Sequence, residues 1–513
     1  AKGPGSVTGL TAVGHDSRID LRWIGSGSKD VSGYRVYRAA KASGPFEQIS
    51  PDRHQPTVYS DFLGENKVSF YYRVTAVERD RSESEPCQPV LARTRAMNDE
   101  QLLTSVQEAT FRYFWDGAHP VSGLIRERSP SRGVCTTGGT GFGLMAIVVG
   151  VERKFVSRAM AAARVRKMLT FLEERAKRYH GAWPHWMDGA TGKTKPFSRY
   201  DDGGDLVETS FLVQGMLTVR QYFDRDDPVE TDIRKRATRL WREVDWKWYL
   251  RKPDEKKLMW HWSPKYGWKM NLPIGGAFNE CMITYLLAVA SPTHASRPEC
   301  YYTGWAGNTR RYANGKKYYG YTQAVGRPMG GPLFFTHYSF LGFDPRRKQD
   351  KFCNYFVNNR NITLIHRAYS IANPGKHKDY GPNVWGLTAS HTAPRGYKAH
   401  APGRSDNGTI SPTACISSMP YAPKESFAAM KHLYHTYGKR LWGPFGFRDA
   451  FNPGLDWFSK SYLAIDQGPI IIMIENHRTG LLWKMFMSNQ EIAPALKAIG
   501  WKPSPADGKQ ATP

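Results

Sequence analysis

The chain of 513 residues is 23% charged and 13% aromatic and contains 16 Trp, the composition of a globular protein and not of a disordered one. Its net charge of +26 comes from 72 basic and 46 acidic residues, and residues 1–95 hold only 14 and 11 of these, so +23 falls on the remainder. The basic residues are scattered and form no tract of five or more, which argues against nucleic acid and leaves an anionically substituted glycan or a solvated basic surface.

The opening AKGPGS has neither an initiator Met nor a basic-then-apolar leader, as expected of a chain whose export signal has been removed. From Val7 to about Arg95, stretches such as GLTAVGHDSRIDLRW, SGYRVYRA and SFYYRVTAVE alternate with period two between Gly, Ser, Asp and Pro turns, which predicts a β-sandwich. The arrangement of Trp23, Tyr34/Val36 and Tyr72/Val74 resembles a fibronectin type III module, a spacer or docking platform without chemistry. After ARTRAMNDE the period becomes helical, with Leu102, Leu103, Val106, Phe111 and Phe114 in phase and Asn98 or Asp99 as N-cap. Further helices are expected over Arg158–Tyr179, Leu206–Phe223, Thr231–Leu250, Ala277–Ala290, Lys424–Tyr437, Pro469–Met487 and Asn489–Ile499. Apolar runs such as Pro469 to Ile474 fall far short of the roughly 20 residues of a membrane span. Strand-like runs are few after residue 100, so the body is expected to be mainly α, with helix pairs and aromatic loops forming an (α/α) toroid around a cleft. No short repeat period points to a solenoid.

Several motifs fail on inspection. MDGATGKT has Met187 where a P-loop needs its first Gly, and GGTGFGL has Leu144 where a dinucleotide fingerprint needs its third. HExxH and GxSxG are absent, and the six Cys (87, 135, 281, 300, 353, 415) show no CxxC pair, so no metal or cofactor is expected.

What remains is acids in costly places. The stretch DDGGDLVETSFLVQG puts Asp201, Asp202, Asp205 and Glu208 within eight residues, just before an almost uncharged run. Asp205 and Glu208, three apart, share one face at a helix start, where backbone N–H groups stabilise them; capping with an Arg partner is the bland alternative. Glu280 is the one charged residue between Ala277 and Ala290. A carboxyl so desolvated is either half of a buried ion pair or a general acid of raised pKa. Asp466 lies between two apolar runs and caps a helix opening near Pro469 or serves the site; Glu475 has the weaker case. Around the acids, Trp183, His185, Trp186, Trp305 and Trp385 sit beside turns. Each Trp alone reads as core filling, but as a group beside carboxylates they fit sugar recognition, rings on pyranose faces and acids on hydroxyls.

The segments FRYFWDGAHPVSGLIRER, TTGGTGFGLMAIVVGVERKF, GAWPHWMDGATGKT, DDGGDLVETSFLVQGML, NECMITYLLAVASPTH and DNGTISPTACISSMPYAPKES together resemble the bacterial glucoamylase-like family that contains β-1,2-glucanases, over residues 98–502. The resemblance implies an (α/α)6 barrel, hydrolysis with inversion, activity carried by Asp201, Asp205, Glu208, Glu280 and Asp466, and substrate contacts from the DNGTIS stretch at Asp406. Asp201 and Asp202 are expected to bind sugar hydroxyls. Two features depart from the family pattern: the high basic charge, and His391 in TASHTAPRGY, where an acid is implied.

The expectation is therefore a fibronectin type III-like sandwich over 1–95, an (α/α)6 catalytic barrel over 96–502 and a flexible tail over 503–513. The implied enzyme is a periplasmic or secreted glycoside hydrolase of β-1,2-glucan or its oligosaccharides, a monomer or weak homo-oligomer, with Glu280 as general acid and Asp205, Glu208 or Asp466 positioning water. The alternatives are hydrolysis of an α-glucan or another β-glucan on the same scaffold, or glycan binding without catalysis.

Overall fold

The computed structural model describes residues 5–131, 133–307, 309–505 and 507. The chain forms two compact units: residues 1–117 with 431–448, and residues 118–430 with 449–513.

The first unit is built on two antiparallel sheets. β1 (Thr8–His15), β2 (Arg18–Ile24) and β5 (Val58–Phe62) form one; β4 (Glu47–Gln48), β3 (Val31–Ala39), β6 (Ser69–Glu78) and β7 (Val90–Arg93) form the other, in that order. Ile19, Leu21, Trp23, Tyr34, Val36, Tyr72 and Val74, the inward phase of the period-two pattern, make one buried cluster between them. Helix α1 (Asp99–Trp115) opens on a capping box: Asn98 Oδ1 accepts the Gln101 N–H, and Gln101 Oε1 accepts the Asn98 N–H.

The unit is discontinuous, and residues from outside the sheets complete the hydrogen bonds of a buried charge on β2. Arg18 is fully buried. Its guanidinium donates to both Asp20 oxygens at 3.0 and 3.1 Å, to Ser105 Oγ of α1 at 2.6 Å and to the Tyr434 hydroxyl at 2.6 Å, and it stacks over Trp442 at 4.4 Å. Arg112 of α1 reaches the same Asp20 at 2.9 Å. Close packing reinforces this network, for a Cβ at Gly438 would lie 2.2 Å from the Phe62 ring. The compact unit thus extends past residue 95 to take in α1 and 431–448.

The second unit is mainly helical, its strands being short and set in pairs apart from one three-stranded sheet of Val134–Thr136, Trp186–Asp188 and Thr194–Lys195. Its centre is the contact of α2 (Thr137–Glu152) with α4 (Leu206–Tyr222). Helix α2 was not among the expected helices, because its TGGTGFG start has poor intrinsic propensity. Tertiary packing overrides that: a Cβ at Gly141 would sit 2.2 Å from Phe211 O, and one at Gly215 would sit 2.2 Å from Gly141 O, so the two backbones touch where side chains would hold them apart. The helix Ala464–Arg478 packs on α2 the same way, Gly468 against Phe142 and Gly139 against Ala464. Helix Tyr355–Ala372 is likewise an element that the sequence pattern did not supply. Of the segment expected as a tail, 506 and 508–513 lie outside the described residues, whereas Pro503 pairs with Lys348 and Asp507 accepts from the Arg347 N–H and Asn354 Nδ2.

The buried network makes a stability prediction. Burial alone would raise the Asp20 pKa, but Arg18, Arg112 and His15 outweigh it and hold the carboxyl well below its ordinary value. A depressed folded-state pKa means stability that is present above about pH 4 and lost as pH falls towards the folded value. Asp20→Asn, which leaves two buried guanidinium groups without their carboxylate, is expected to cost the first unit about 3–5 kcal/mol at neutral pH and to flatten its acid destabilisation. Chemical denaturation between pH 3 and 7, followed by hydrogen exchange in β2 and α1, measures both.

Candidate active site

Three helices of the second unit begin at one place. Their N-caps are Asp205 for α4, Thr136 for α2 and Leu463 for Ala464–Arg478, and each follows a short strand, Gly204–Asp205, Val134–Thr136 and Tyr462–Leu463. Thr136, Val207, Glu208, Phe211, Leu463 and Ile465 from these starts line a cleft of about 350 Å³. Trp186, Phe197, Trp260, Phe334, Tyr338 and Tyr397 supply its aromatic walls, with His185, Glu280 and the Glu127–Arg128 pair between them. The positive ends of three helix dipoles therefore face a site rich in carboxyl groups.

Glu280 lies in the turn just before α6 (Met282–Ala290) and not within a helix as expected, because the helix does not begin until after Cys281. Its carbonyl accepts from Ser339 Oγ, whose oxygen also takes the Ile283 N–H, which fixes the turn. Burial pushes the Glu280 carboxyl up to about 7, helped by Glu208 and Asp205 and opposed by its own backbone N–H and Arg327.

Glu208 also faces the cleft. Its Oε2 accepts the Gly138 N–H at 2.7 Å and the Thr136 hydroxyl at 3.4 Å, and its Oε1 lies 3.9 Å from His185 Nε2. Burial, with Asp205 and Asp201 adding to it, raises this carboxyl above its ordinary value against the pull of His185 and the Gly138 N–H. Asp205 is the α4 cap, its Oδ1 accepting the Glu208 N–H at 2.9 Å. It is fully buried, yet His185 and His261 overcome that burial and keep its pKa low. His185 Nδ1 lies 3.2 Å from Asp205 Oδ2 and 3.6 Å from Asp201 Oδ2, and His261 Nδ1 lies 3.5 Å from Asp201 Oδ1. Burial works against a charge on His185, but Glu208, Asp201 and Asp205 prevail and raise its pKa well above the usual value. The acids that open α4 are thus held by histidines rather than by an Arg. Among the described residues, the His185, Asp201 and Asp205 ligand atoms lie within 4.8 Å of one another, close enough to share a cation.

Asp466 sits in the first turn of a helix that begins at Ala464, five residues before Pro469, so it is inside the helix and not its cap. It is buried, and its Oδ1 meets the hydroxyl of the cleft residue Tyr338 at 3.5 Å. Burial and the neighbouring Asp449 carboxyl raise its pKa well above the ordinary value. Asp449 lies beside His391, at 3.2 Å from Nδ1.

Other expected site residues stand elsewhere. Trp183, Trp305 and Trp385 are fully buried; Trp183 and Trp305 donate to Leu172 O and the Tyr312 hydroxyl, and with no face on a cleft all three are core filling. Asp406 accepts from Tyr380, Tyr369 and the Gly408 N–H beside His377, a buried node away from the cleft lining. Asp202 is half-buried and does not line the cleft either. Glu475 forms a two-pronged pair with Arg153, both bonds 2.7 Å. Sequence reading missed His261, Asp449, Tyr338 and Tyr397. His261 lies within the MWHWSPKYGW aromatic stretch and Tyr397 closes TASHTAPRGY, so both adjoined noticed motifs; Asp449 had no local signal.

A family model described as putative glucoamylase matches residues 274–490. An exo beta-1,2-glucooligosaccharide sophorohydrolase (non-reducing end) of Parabacteroides distasonis is 44% identical over 507 residues, 95% of this chain and 70% of that protein. The crystal structure of a beta-1,2-glucanase from Parabacteroides distasonis superposes with a TM-score of 0.91 at 44% identity, over 97% of this chain and 74% of that one. An endo-beta-1,2-glucanase from Chitinophaga pinensis, solved with sophorotriose and glucose, gives 0.76 at 48% identity over 80% and 99%. With two glutamates of raised pKa in one aromatic cleft, and with this degree of identity, the chain belongs to the glucoamylase-like family of glycoside hydrolases.

Proposed function

We propose that this protein hydrolyses β-1,2-linked glucooligosaccharides, the sophorose-type linkage, with inversion at the anomeric carbon. The observation that carries the reading is the pairing of Glu208 and Glu280, both of raised pKa, in one cleft walled by Trp186, Trp260, Phe197 and Tyr338. Flat rings take the apolar faces of glucose units, and carboxyl groups and imidazole take the hydroxyls. Glu280 keeps its proton near neutral pH and delivers it to the leaving glycosidic oxygen. Glu208, braced by Gly138 and His185, binds and orients the sugar, and Asp466, in contact with Tyr338, takes the proton of the attacking water.

The same reading makes the second unit an (α/α)6 barrel and the sheets of the first a fibronectin type III-like module, on the support of the helical body, the paired sheets and the family. Among the described residues no helix is long and apolar enough to cross a membrane, and the reading keeps the enzyme periplasmic or secreted. Incubation with linear β-1,2-glucooligosaccharides tests the activity: sophorose alone marks exo action, a ladder marks endo action, and binding without new reducing ends selects a noncatalytic protein.

Two substitutions test the roles. Glu280→Gln is expected to lower kcat about a hundredfold or more and to lack the fall in kcat expected of the native enzyme as pH rises through about 7. Stability runs the opposite way. A carboxyl whose folded pKa is raised from 4.5 to about 7 contributes fully below the unfolded value and loses that contribution as pH rises to the folded one. Glu280→Gln is therefore more stable than the native protein at pH 8, by up to about 3 kcal/mol, reduced by solvent in the cleft, and equal to it near pH 4. Thermal melts of the two proteins across that range check the sign.

Gly138→Ala tests the brace. A Cβ there would lie 2.5 Å from Glu208 Oε2 and 3.0 Å from Phe211, so the carboxyl must move. Activity is expected to fall about tenfold or more, as when a catalytic contact is misplaced by about 1 Å, while circular dichroism keeps its helical signal. Unchanged kcat/KM would remove Glu208 from the site.

A further inference from the structure

Asp466 does not act on water alone. The Asp449 carboxyl is close enough to act directly on that of Asp466, and among the described residues Asp466 Oδ2 and Asp449 Oδ1 are each buried without a hydrogen-bond partner. Two ionised carboxylates side by side repel and have no hydrogen to donate, whereas one proton held between them would satisfy both orphaned oxygens. The surroundings decide where the charge rests. Asp449 Oδ2 accepts the His391 backbone N–H at 2.7 Å and lies 3.2 Å from His391 Nδ1, and that ring also meets Ser459 Oγ at 3.3 Å. Among the described residues, the Asp466 side chain has only the Tyr338 hydroxyl, at 3.5 Å. Burial and the Asp449 carboxyl favour the proton on Asp466, which lacks the donors gathered at its neighbour.

The pair is joined to the cleft on two sides. Tyr338 lines the cleft and touches Asp466. Tyr397, also in the cleft wall, stands directly across a two-stranded hairpin from His391. Its hydroxyl feels Asp466, Asp449, Glu280 and Glu208 together. Among the described residues, Tyr338 lies beside Asp466, His391 lies beside Asp449, and Tyr397 is close enough to feel both.

We propose that Asp449 is a positioning residue for water activation: it shares one proton with Asp466, keeps one negative charge on the pair, and leaves Asp466 Oδ1 as the acceptor for a proton from water. This rests on the hydrolase reading above. As the water oxygen bonds to the anomeric carbon, the C–O bond to the leaving sugar breaks and its electron pair stays with the leaving oxygen, which Glu280 protonates. The water's proton goes to Asp466 Oδ1 while the proton on Oδ2 passes to Asp449. The pair thus moves from one proton and a charge of −1 to two protons and neutrality, and returns by releasing a proton to solvent, which restores Glu280. His391, where an acid was implied by family resemblance, is the residue that holds the acid supplied from position 449.

The test uses the full chain. Infrared spectra of the resting protein with isotopically labelled aspartate are expected to show a protonated Asp carboxyl at neutral pH, removed by Asp449→Asn and by Asp466→Asn alike. Asp449→Asn is also expected to lower kcat by about tenfold or more, with KM changed less than about threefold, and to move the acid limb of the kcat profile to higher pH, because a lone buried Asp466 no longer shares its proton. Should that variant fold poorly, His391→Ala, which keeps both carboxyl groups, is expected to move the acid limb in the same direction. A folded Asp449→Asn protein with native kcat and acid limb overturns the proposal. So does a neutral-pH spectrum without a protonated Asp, or one whose signal survives both substitutions. A signal that behaves as expected in a protein that cleaves no glucan overturns the catalytic role and the hydrolase reading while leaving the shared proton in place.

Discussion

A carboxyl group taken out of water must meet a cation, gather N–H donors or keep its proton, and the organisation of this protein follows from which remedy each buried acid receives. Asp20 meets two guanidinium groups and becomes structural. Asp205 receives a backbone N–H and two imidazoles and stays ionised. Glu280 and Asp466 receive too few donors to offset their burial and keep their protons. The same physical demand, answered differently within one chain, separates the acids that hold the fold from those available for chemistry.

Much of this was legible in the sequence, and the losses have identifiable causes. The period-two alternation located the sandwich because its inward positions are the core, and Asn98 was readable as a cap because capping is a local interaction. The four carboxylates at 201–208 stood out because the run that follows them carries almost no charge to pair with them. Helix α2 was hidden because its glycines signal a loop unless the partner backbone of α4 is known. Tryptophans beside turns misled because a turn places a ring near the surface or beneath it with equal ease; Trp186 lines the cleft while Trp183, three residues earlier, is sealed. Asp449 was silent because its partners come from residues 391 and 466, and no local pattern encodes such a meeting.

The glycine-lined approach of α2 to α4 links packing to the site. Because Gly141 and Gly215 let the backbones touch, the first turns of both helices are brought level, and the Gly138 N–H points at Glu208 Oε2. The carboxyl orientation is thereby fixed by main chain and not by a flexible side chain, a rigid form of support for a group whose placement matters to within about 1 Å.

Arg18 and Tyr434 are 416 residues apart in the chain, and this separation bears on how the protein is made. A ribosome adding roughly 5–20 residues per second presents Arg18 tens of seconds before its phenolic partner exists. Throughout that interval the nascent sheets carry a guanidinium whose enclosure is unfinished, and the last part of the first unit arrives only after most of the second has been synthesised. The sheets that enclose Arg18 are therefore made early and completed late, after residues 431–448 have been added.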